Sequence, residues 1–309
     1  MKKNNFNVNN LTGKKLVRTI ISIIIVILVA VLGKTNFNAA ESQQVSNIEG
    51  LENVTIQTGN GCISKIDTSE DTLRVYYFDV GQADSILIVN NGESMLIDAG
   101  TNDAGKTVVQ NLNKIGIKKL TYVVGTHPHE DHIGGLDNVI NSIDVGKIMM
   151  PKTTTNTKTY EDVIDAIANK NKKITVPKVG DKFNVGKAEC EVMSIGDNSK
   201  NLNECSIVIR MTYNGTSYLF TGDAETANES ARSWPQTNVL KAGHHGSSTS
   251  SSQKFLDQIK PSLIIISCGK DNDYGHPHKE TMDRYNKLGA QIYRTDESGD
   301  ILVTQKNNN

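Results

Sequence analysis

All seven histidines of this chain fall in three short stretches: THPHEDHIGG (Thr126–Gly135), GHHGSS (Gly243–Ser248) and YGHPH (Tyr274–His278). Imidazoles without a task would be dispersed. Imidazoles clustered with carboxylates are what a transition metal or a proton-transfer centre requires, so the fold has to serve that chemistry. In VVGTHPHEDHIGG an apolar strand ends at Gly125, and His127 and His129, two apart on extended chain, can point to one side and chelate a single ion. Asp131 and His132 open the next helix and can turn toward a second ion, while Pro128 and Glu130 face elsewhere.

Charge argues against one broad function class, while leaving a locally basic groove open. Six of the 33 basic residues lie before position 35 and no acid does, so the remainder carries 27 basic against 34 acidic residues. An acidic body argues against tight, sequence-independent binding along a nucleic-acid backbone, which rests on Lys and Arg displacing counterions. The basic start leads into IISIIIVILVAVLG (Ile20–Gly33), the pattern of a secretory signal or an uncleaved anchor. These residues would cover about 21 Å of helix against a hydrocarbon core of about 30 Å, and Leu16 and Val17 extend them toward a span. The following KTNFNAAES lacks a clean small-x-small cleavage pair, which favours the anchor. The positive-inside rule then puts the body outside the cytoplasm, tethered to the membrane through its N-terminus, or secreted if the segment is cut. No protein partner can be read from the sequence.

The expected organisation is a basic start with its apolar segment over 1–34, a polar linker over 35–71, and a catalytic body over 72–309. From Thr72 strands and helices alternate: TLRVYYF, SILIV, SMLID, KLTYVVG, KIMM, NVLKAG, SLIIIS, QIYRT and ILVT read as strands, and Asp103–Ile115, Tyr160–Asn169, Glu225–Trp234, Gln253–Ile259 and His278–Leu288 as helices. A strand-rich middle turns at Asn214-Gly215. This is a layered α/β domain with its site in loops at strand ends. Cys62, Cys190, Cys205 and Cys268 are widely spaced, with no C-x-x-C, and read as buried apolar residues.

From Leu73 to about Thr304 the chain resembles the metallo-β-lactamase superfamily, and within it the hydrolase domain of ComEC-type DNA-uptake competence proteins. The resemblance rests on FDVGQADS (Phe78–Ser85), LIDAG, THPHEDHIGG, YLFTGDAE, LKAGHHGS and YGHPH, in the family's order. It implies an αβ/βα sandwich with metals at one edge. It makes His127, His129, Asp131 and His132 ligands, Asp223 the carboxylate bridging two ions, and one of His244 and His245 the closing ligand, with His244 taken here as the ligand. Asp79 and Asp98 would orient ligands from behind, and His245, Lys241 and Ser247 would lie near the substrate. His276 would protonate the leaving group or touch substrate, Asp131 would join it in catalysis, and His278 would cap a helix. Two departures stand out. Ala83 replaces a usual glycine, and NLNECSIVIR puts Asn203 where the superfamily has its third-motif histidine, leaving one ion with fewer protein ligands.

The resemblance implies a metal-dependent hydrolase in which one or two divalent ions activate water. Two Zn²⁺ are expected from the imidazoles, with Mn²⁺ the alternative from the oxygen ligands. A bridging aspartate is the choice of the superfamily's phosphodiesterases, whereas its antibiotic-hydrolysing members commonly have cysteine there. The expected substrate is therefore a phosphodiester, in nucleic acid or an envelope polymer. The alternatives are hydrolysis of a lactone, thioester or β-lactam, by fold analogy alone, and a membrane-tethered binding module with a degenerate site, for which the missing third-motif histidine argues.

Overall fold

The computed structural model describes residues 41–44, 51–196 and 200–307. The apolar segment Ile20–Gly33 lies outside them, and no helix among the described residues is long and apolar enough to cross a membrane. Strands β1 (Glu41–Gln44), β2 (Val54–Thr58) and β3 (Thr72–Tyr77) are followed by β4 (Ile86–Asn90), β5 (Glu93–Ile97), helix α1 (Gly105–Ile115) and β6 (Lys119–Val124). Next come the single turn α2 (Glu130–Ile133), α3 (Leu136–Ser142), β7 (Asp144–Met149), α4 (Lys158–Asn169) and β8 (Ile174–Thr175). The second half holds β9 (Lys182–Val185), β10 (Ala188–Ser194), β11 (Val208–Tyr213), β12 (Thr216–Phe220), α5 (Thr226–Ser230), β13 (Val239–Lys241), α6 (Gln253–Ile259), β14 (Leu263–Ile266), α7 (Lys279–Leu288), β15 (Gln291–Arg294) and α8 (Thr295–Ser298). The last strand, β16 (Ile301–Lys306), crosses back into the first sheet between β2 and β3.

Two sheets result, ordered β1-β2-β16-β3-β4-β5-β6-β7-β8 and β15-β14-β13-β12-β11-β10-β9. The central strands read as near-continuous apolar runs because both faces are covered: every residue of β4, β12 and β14 is buried. Alternate side chains divide between layers. Val75, Tyr77 and Ile88 of the first sheet meet Tyr218, Phe220 and Ile265 of the second in the central core. Leu96 and Val123 pack outward on Val108 and Leu112 of α1 and Val163 of α4, and Leu240 and Ile264 pack outward on Phe255 and Leu256 of α6 and Tyr285 of α7. The order helix, sheet, sheet, helix is the expected αβ/βα sandwich. All four cysteines are buried thiols.

The arrangement gathers the chemistry. Strands β5 to β8 run parallel, as do β12 to β15, and the loops leaving the C-terminal ends of β6, β12, β13 and β14 carry the three histidine stretches and Asp223. Ligand sites in such sheets form outside those strand ends. The two glycines of HIGG close the approach. A Cβ on Gly135 would lie 2.3 Å from the Ala99 carbonyl oxygen and 2.6 Å from Gly105 Cα, and one on Gly134 would lie 2.3 Å from the Asn102 nitrogen. Without side chains there, the turn bearing Asp131 and His132 seats against the end of β5, and the Ala99 N–H reaches the His132 carbonyl at 2.8 Å.

Two expectations are corrected. The segment read as a linker contributes β1 and β2, and β2 pairs with β16 along its whole length. Val54 and Ile56, alternating with polar residues, turn to the core together with Leu51, enough apolar surface to hold the strand. The helix expected over Glu225–Trp234 stops at Ser230. Trp234 is drawn instead into the outer core, its indole N–H donating to the Glu229 carbonyl at 2.7 Å.

Candidate metal centre

Asp223, buried at the end of β12, stands at the middle of the cluster, and its two carboxylate oxygens face different groups. Oδ1 lies 3.1 Å from His132 Nε2 and 3.6 Å from His245 Nε2. Oδ2 lies 3.8 Å from His127 Nε2 and 3.6 Å from His244 Nε2. Asp131 Oδ2 closes the first group, 3.3 Å from His245 Nε2 and 3.9 Å from His132 Nε2. In the second group His129 Nδ1 approaches His127 Nε2 at 3.0 Å. Asp131, His132, Asp223 and His245 can thus converge on one cation, and His127, His129 and Asp223 on another.

The far sides of the His132 and His245 rings are fixed by hydrogen bonds, which decide that each ring turns Nε2 inward. His132 Nδ1 donates to Asp98 Oδ2 at 2.8 Å, and Asp98 is held in turn by the Thr126 N–H and hydroxyl at 2.8 and 2.7 Å. His245 Nδ1 donates to the Ser267 carbonyl at 3.0 Å, with Asp84 Oδ1 at 3.3 Å. Behind Asp84 lies the ammonium of Lys241, 2.8 Å from Oδ2. Three of these positions are backbone-strained. Asp98, His244 and His245 all have left-handed φ values, 58°, 49° and 52°, a conformation that costs roughly 1–2 kcal/mol for a residue bearing a Cβ and that recurs where a site over-determines its geometry.

The residues present fit a cation. His132 Nε2, His245 Nε2 and Asp223 Oδ1 are buried, mutually close and without a hydrogen bond, a costly state for polar atoms in an apolar interior unless something else satisfies them. Charge agrees. Burial opposes protonation of His132, yet Asp223, Asp98 and Asp131 hold it well above the ordinary imidazole range. Burial likewise opposes charge on His245, but Asp223 and Asp84 push it up to about 10. Asp223 stays well below the usual carboxylate range despite its burial because His132 and His245 surround it, and Asp131, opposed by burial and favoured by His132, falls to about 2. In the second group, burial followed by the neighbouring His132 pulls His127 well below the ordinary range, and burial lowers His129, leaving neutral rings with lone pairs to give. Four carboxylates, those of Asp84, Asp98, Asp131 and Asp223, draw positive charge onto His132 and His245 beside the one ammonium of Lys241, charge that a bound cation would supply in place of the two ring protons.

A cavity of about 420 Å³ opens on this cluster, with Gln82, Asn203 and His276 among its walls. Gln82 Oε1 accepts from the Gly269 N–H at 3.0 Å, which turns its NH₂ toward His276 Nδ1 at 3.2 Å. Nδ1 is therefore the acceptor and the ring proton sits on Nε2. Burial and then the neighbouring His244 and His245 lower His276 to about 4. It is neutral at neutral pH, so the expected acid is a hydrogen-bond donor instead. Asn203 sends its NH₂ toward Glu225 Oε1 at 3.3 Å and His244 at 3.4 Å, while its buried Oδ1 makes no hydrogen bond.

The structure departs from the sequence reading at several positions. His245, not His244, belongs to the group around Asp131 and His132. His244 turns its Nδ1 to Glu225 Oε1 at 3.2 Å and Thr249 Oγ1 at 3.1 Å, because two successive left-handed residues send their rings to different sides. Asp79 is exposed, its carboxylate accepting from the Gly81 N–H at 3.3 Å in a turn; Asp84, five residues on, is the buried acid behind the ligands. Lys241 is fully buried on Asp84 and faces no substrate. Ser247 braces its own loop through Thr249. His278 takes the N-cap position of α7 as expected, with extended backbone, while its ring bonds Ser248 and the Tyr274 carbonyl. Gln82, Asp84, Thr101, Glu225 and Tyr274 were missed, although Gln82 and Asp84 stand inside FDVGQADS and Glu225 inside YLFTGDAE. Glu130, expected to face elsewhere, is exposed at the cavity rim.

The profile of the Metallo-beta-lactamase superfamily matches residues 78–270. ComE operon protein 3 of Bacillus subtilis is 29% identical over 252 residues, 74% of this chain and 32% of that protein. Recombination protein 2 of Haemophilus influenzae is 31% identical over 242 residues, 76% of this chain and 29% of that protein. Both are of the ComEC type, and the chain spans about a third of their length. Among solved structures, the metallo-beta-lactamase fold protein YhfI of Bacillus subtilis superposes with a TM-score of 0.54 at 12% identity, covering 76% of this chain and all of that one, a likeness of fold.

The Asp84–Lys241 pair gives a stability test. Lys241→Met leaves a carboxylate buried without its ammonium and should cost about 3–5 kcal/mol. Adding Asp84→Asn should recover much of that loss. Denaturant unfolding of the two variants checks this; a single variant as stable as the double would show that the pair does not hold the loop.

Proposed function

The chain belongs to the metallo-β-lactamase superfamily, and from that premise we propose that it is a metal-dependent phosphodiesterase. The observation that carries the reading is the Asp223 carboxylate, with one oxygen toward each set of imidazoles. A carboxylate there offsets the charge of two neighbouring cations and leaves no thiolate in the site. Asp131, His132 and His245 would hold one ion with Asp223, and His127 and His129 the other. The unpartnered Asn203 Oδ1 would stand in for a third imidazole, making that second site richer in oxygen. Zn²⁺ suits the imidazoles and Mn²⁺ the oxygens. Bound ions would supply Lewis acidity toward a phosphoryl oxygen and lower the pKa of water.

The chain's own residues do the rest. Asp98 and Ser267 fix the tautomers of His132 and His245, so both present Nε2 inward. His276 holds a proton on Nε2 at the cavity wall and donates a hydrogen bond to a substrate oxygen as charge develops on it, without releasing that proton at neutral pH. The name of Recombination protein 2 favours nucleic acid over an envelope polymer as the phosphodiester.

A substrate panel tests the reading. Bis-p-nitrophenyl phosphate and single-stranded DNA should be hydrolysed by the full-length protein only with Zn²⁺ or Mn²⁺ present, and Asp223→Ala should fall to background. His276→Ala should lose about 10²–10³ in kcat, as for an oxyanion donor, by a similar factor for good and poor leaving groups. Turnover of nitrocefin or a lactone with no phosphodiester cleaved would overturn the proposal. We further propose that the body works outside the cytoplasm, on the strength of the basic and then apolar start of the chain. Protease added to intact cells should remove it; a full-length, protected product in the cytosolic fraction would refute export.

A further inference from the structure

Tyr274 is the one aromatic side chain among the large exposed hydrophobics of the described residues, with 68% of its surface open to solvent. A single exposed apolar residue is ordinary and by itself means nothing. Here its position adds meaning. Tyr274 lines the same cavity as Asp131, Asp223 and His245, and its ring lies nearly parallel to that of His276, centroids 5.6 Å apart at 21°. His276 is nearly parallel to His245 in turn, 6.3 Å away at 24°. Three rings thus descend in a tier from solvent to the metal-ligating group, and the uppermost is left uncovered.

The tier is fixed in place. Asn272 donates to the carbonyls of Gly269 and His276 at 2.8 and 2.6 Å and accepts from the His276 N–H at 3.0 Å. His278 Nε2 holds the Tyr274 carbonyl at 3.1 Å. A ring presented by so braced a loop loses little freedom when something stacks on it.

The cavity also lacks what a polyanion usually needs, since no Lys or Arg lines it. Affinity for a phosphodiester therefore has to come from the ions and from the group attached to the phosphate. We propose that Tyr274 is the platform on which a planar ring of the substrate stacks, a nucleobase adjoining the scissile phosphodiester of a single strand. The proposal rests on the phosphodiesterase reading and deepens it: a base in a single strand has a free π-face, whereas a polyol phosphate has none. Stacking of this kind tolerates any base.

The test uses the full-length protein and paired oligonucleotides, one with a normal base beside the cleaved bond and one abasic there. The ratio of kcat/KM between the two should fall by about 5- to 100-fold in Tyr274→Ala and should be restored by Tyr274→Trp. A ratio unchanged in Tyr274→Ala, whether both rates fall or neither does, overturns the platform. A second readout needs no turnover. A single 2-aminopurine in an oligonucleotide with phosphorothioate linkages should be quenched on binding to wild type with Zn²⁺ present, and not by Tyr274→Ala. If wild type cleaves neither oligonucleotide, the phosphodiesterase reading fails and the quenching alone decides: quenching by wild type that Tyr274→Ala lacks upholds the platform, and its absence in wild type, or equal quenching by both proteins, overturns it. A poly(glycerol phosphate) cleaved as well as DNA, with the same response to Tyr274→Ala, would also refute it.

Discussion

The site is organised around one buried carboxylate. Asp223 is met by imidazoles on both sides: Oδ1 lies 3.1 Å from His132 Nε2 and 3.6 Å from His245 Nε2, and burial makes a charge there expensive unless cations, imidazolium or metal, compensate it. Everything near it serves to keep that arrangement from collapsing. Asp98 fixes His132, Ser267 and Asp84 fix His245, and Lys241 fixes Asp84, so the lone pairs that meet at Asp223 are held apart from behind. The left-handed turns at Asp98, His244 and His245 are strained, and the two-sheet core is rigid enough to impose them.

The same constraint would reconcile an acidic body with the phosphate-bearing substrate proposed for it. Without cations the cavity presents Asp131 and Asp223 and would repel a phosphodiester. With cations its sign inverts at the point where bond cleavage is needed, as bound metal ions do when they are the largest local charges. Recognition would then rest on the metal edge and the rings beside it, since no Lys or Arg lines the cavity among the described residues.

Much of the fold and of the centre was legible in the sequence, and the failures have local causes. HxHxDH after an apolar strand located four residues of the cluster around Asp223 because its spacing maps onto strand end and helix start. SILIV and SLIIIS announced strands covered on both faces. Asp79 and Asp84 sit in one eight-residue string, and their separation depends on a turn through Gly81 that sends one to solvent and the other inward; the apolar run just after Asp84 was the available signal. His244 and His245 are neighbours in sequence, and only their unusual backbone angles tell them apart. Lys241 ends the buried NVLK run, which was itself a sign that its charge would need a buried partner. VTIQT, with its alternation, was enough to lift residues 54–58 out of the linker.

The central claim is that this protein holds two cations about Asp223. Elemental analysis of the full-length protein, equilibrated with Zn²⁺ or Mn²⁺ and then freed of loose metal, tests it most directly. The account predicts about two ions per chain, falling below one in Asp223→Ala, with His245→Ala losing one and His244→Ala retaining both. No bound ion in the wild type with either metal, or an Asp223→Ala protein with the wild-type content, would contradict it.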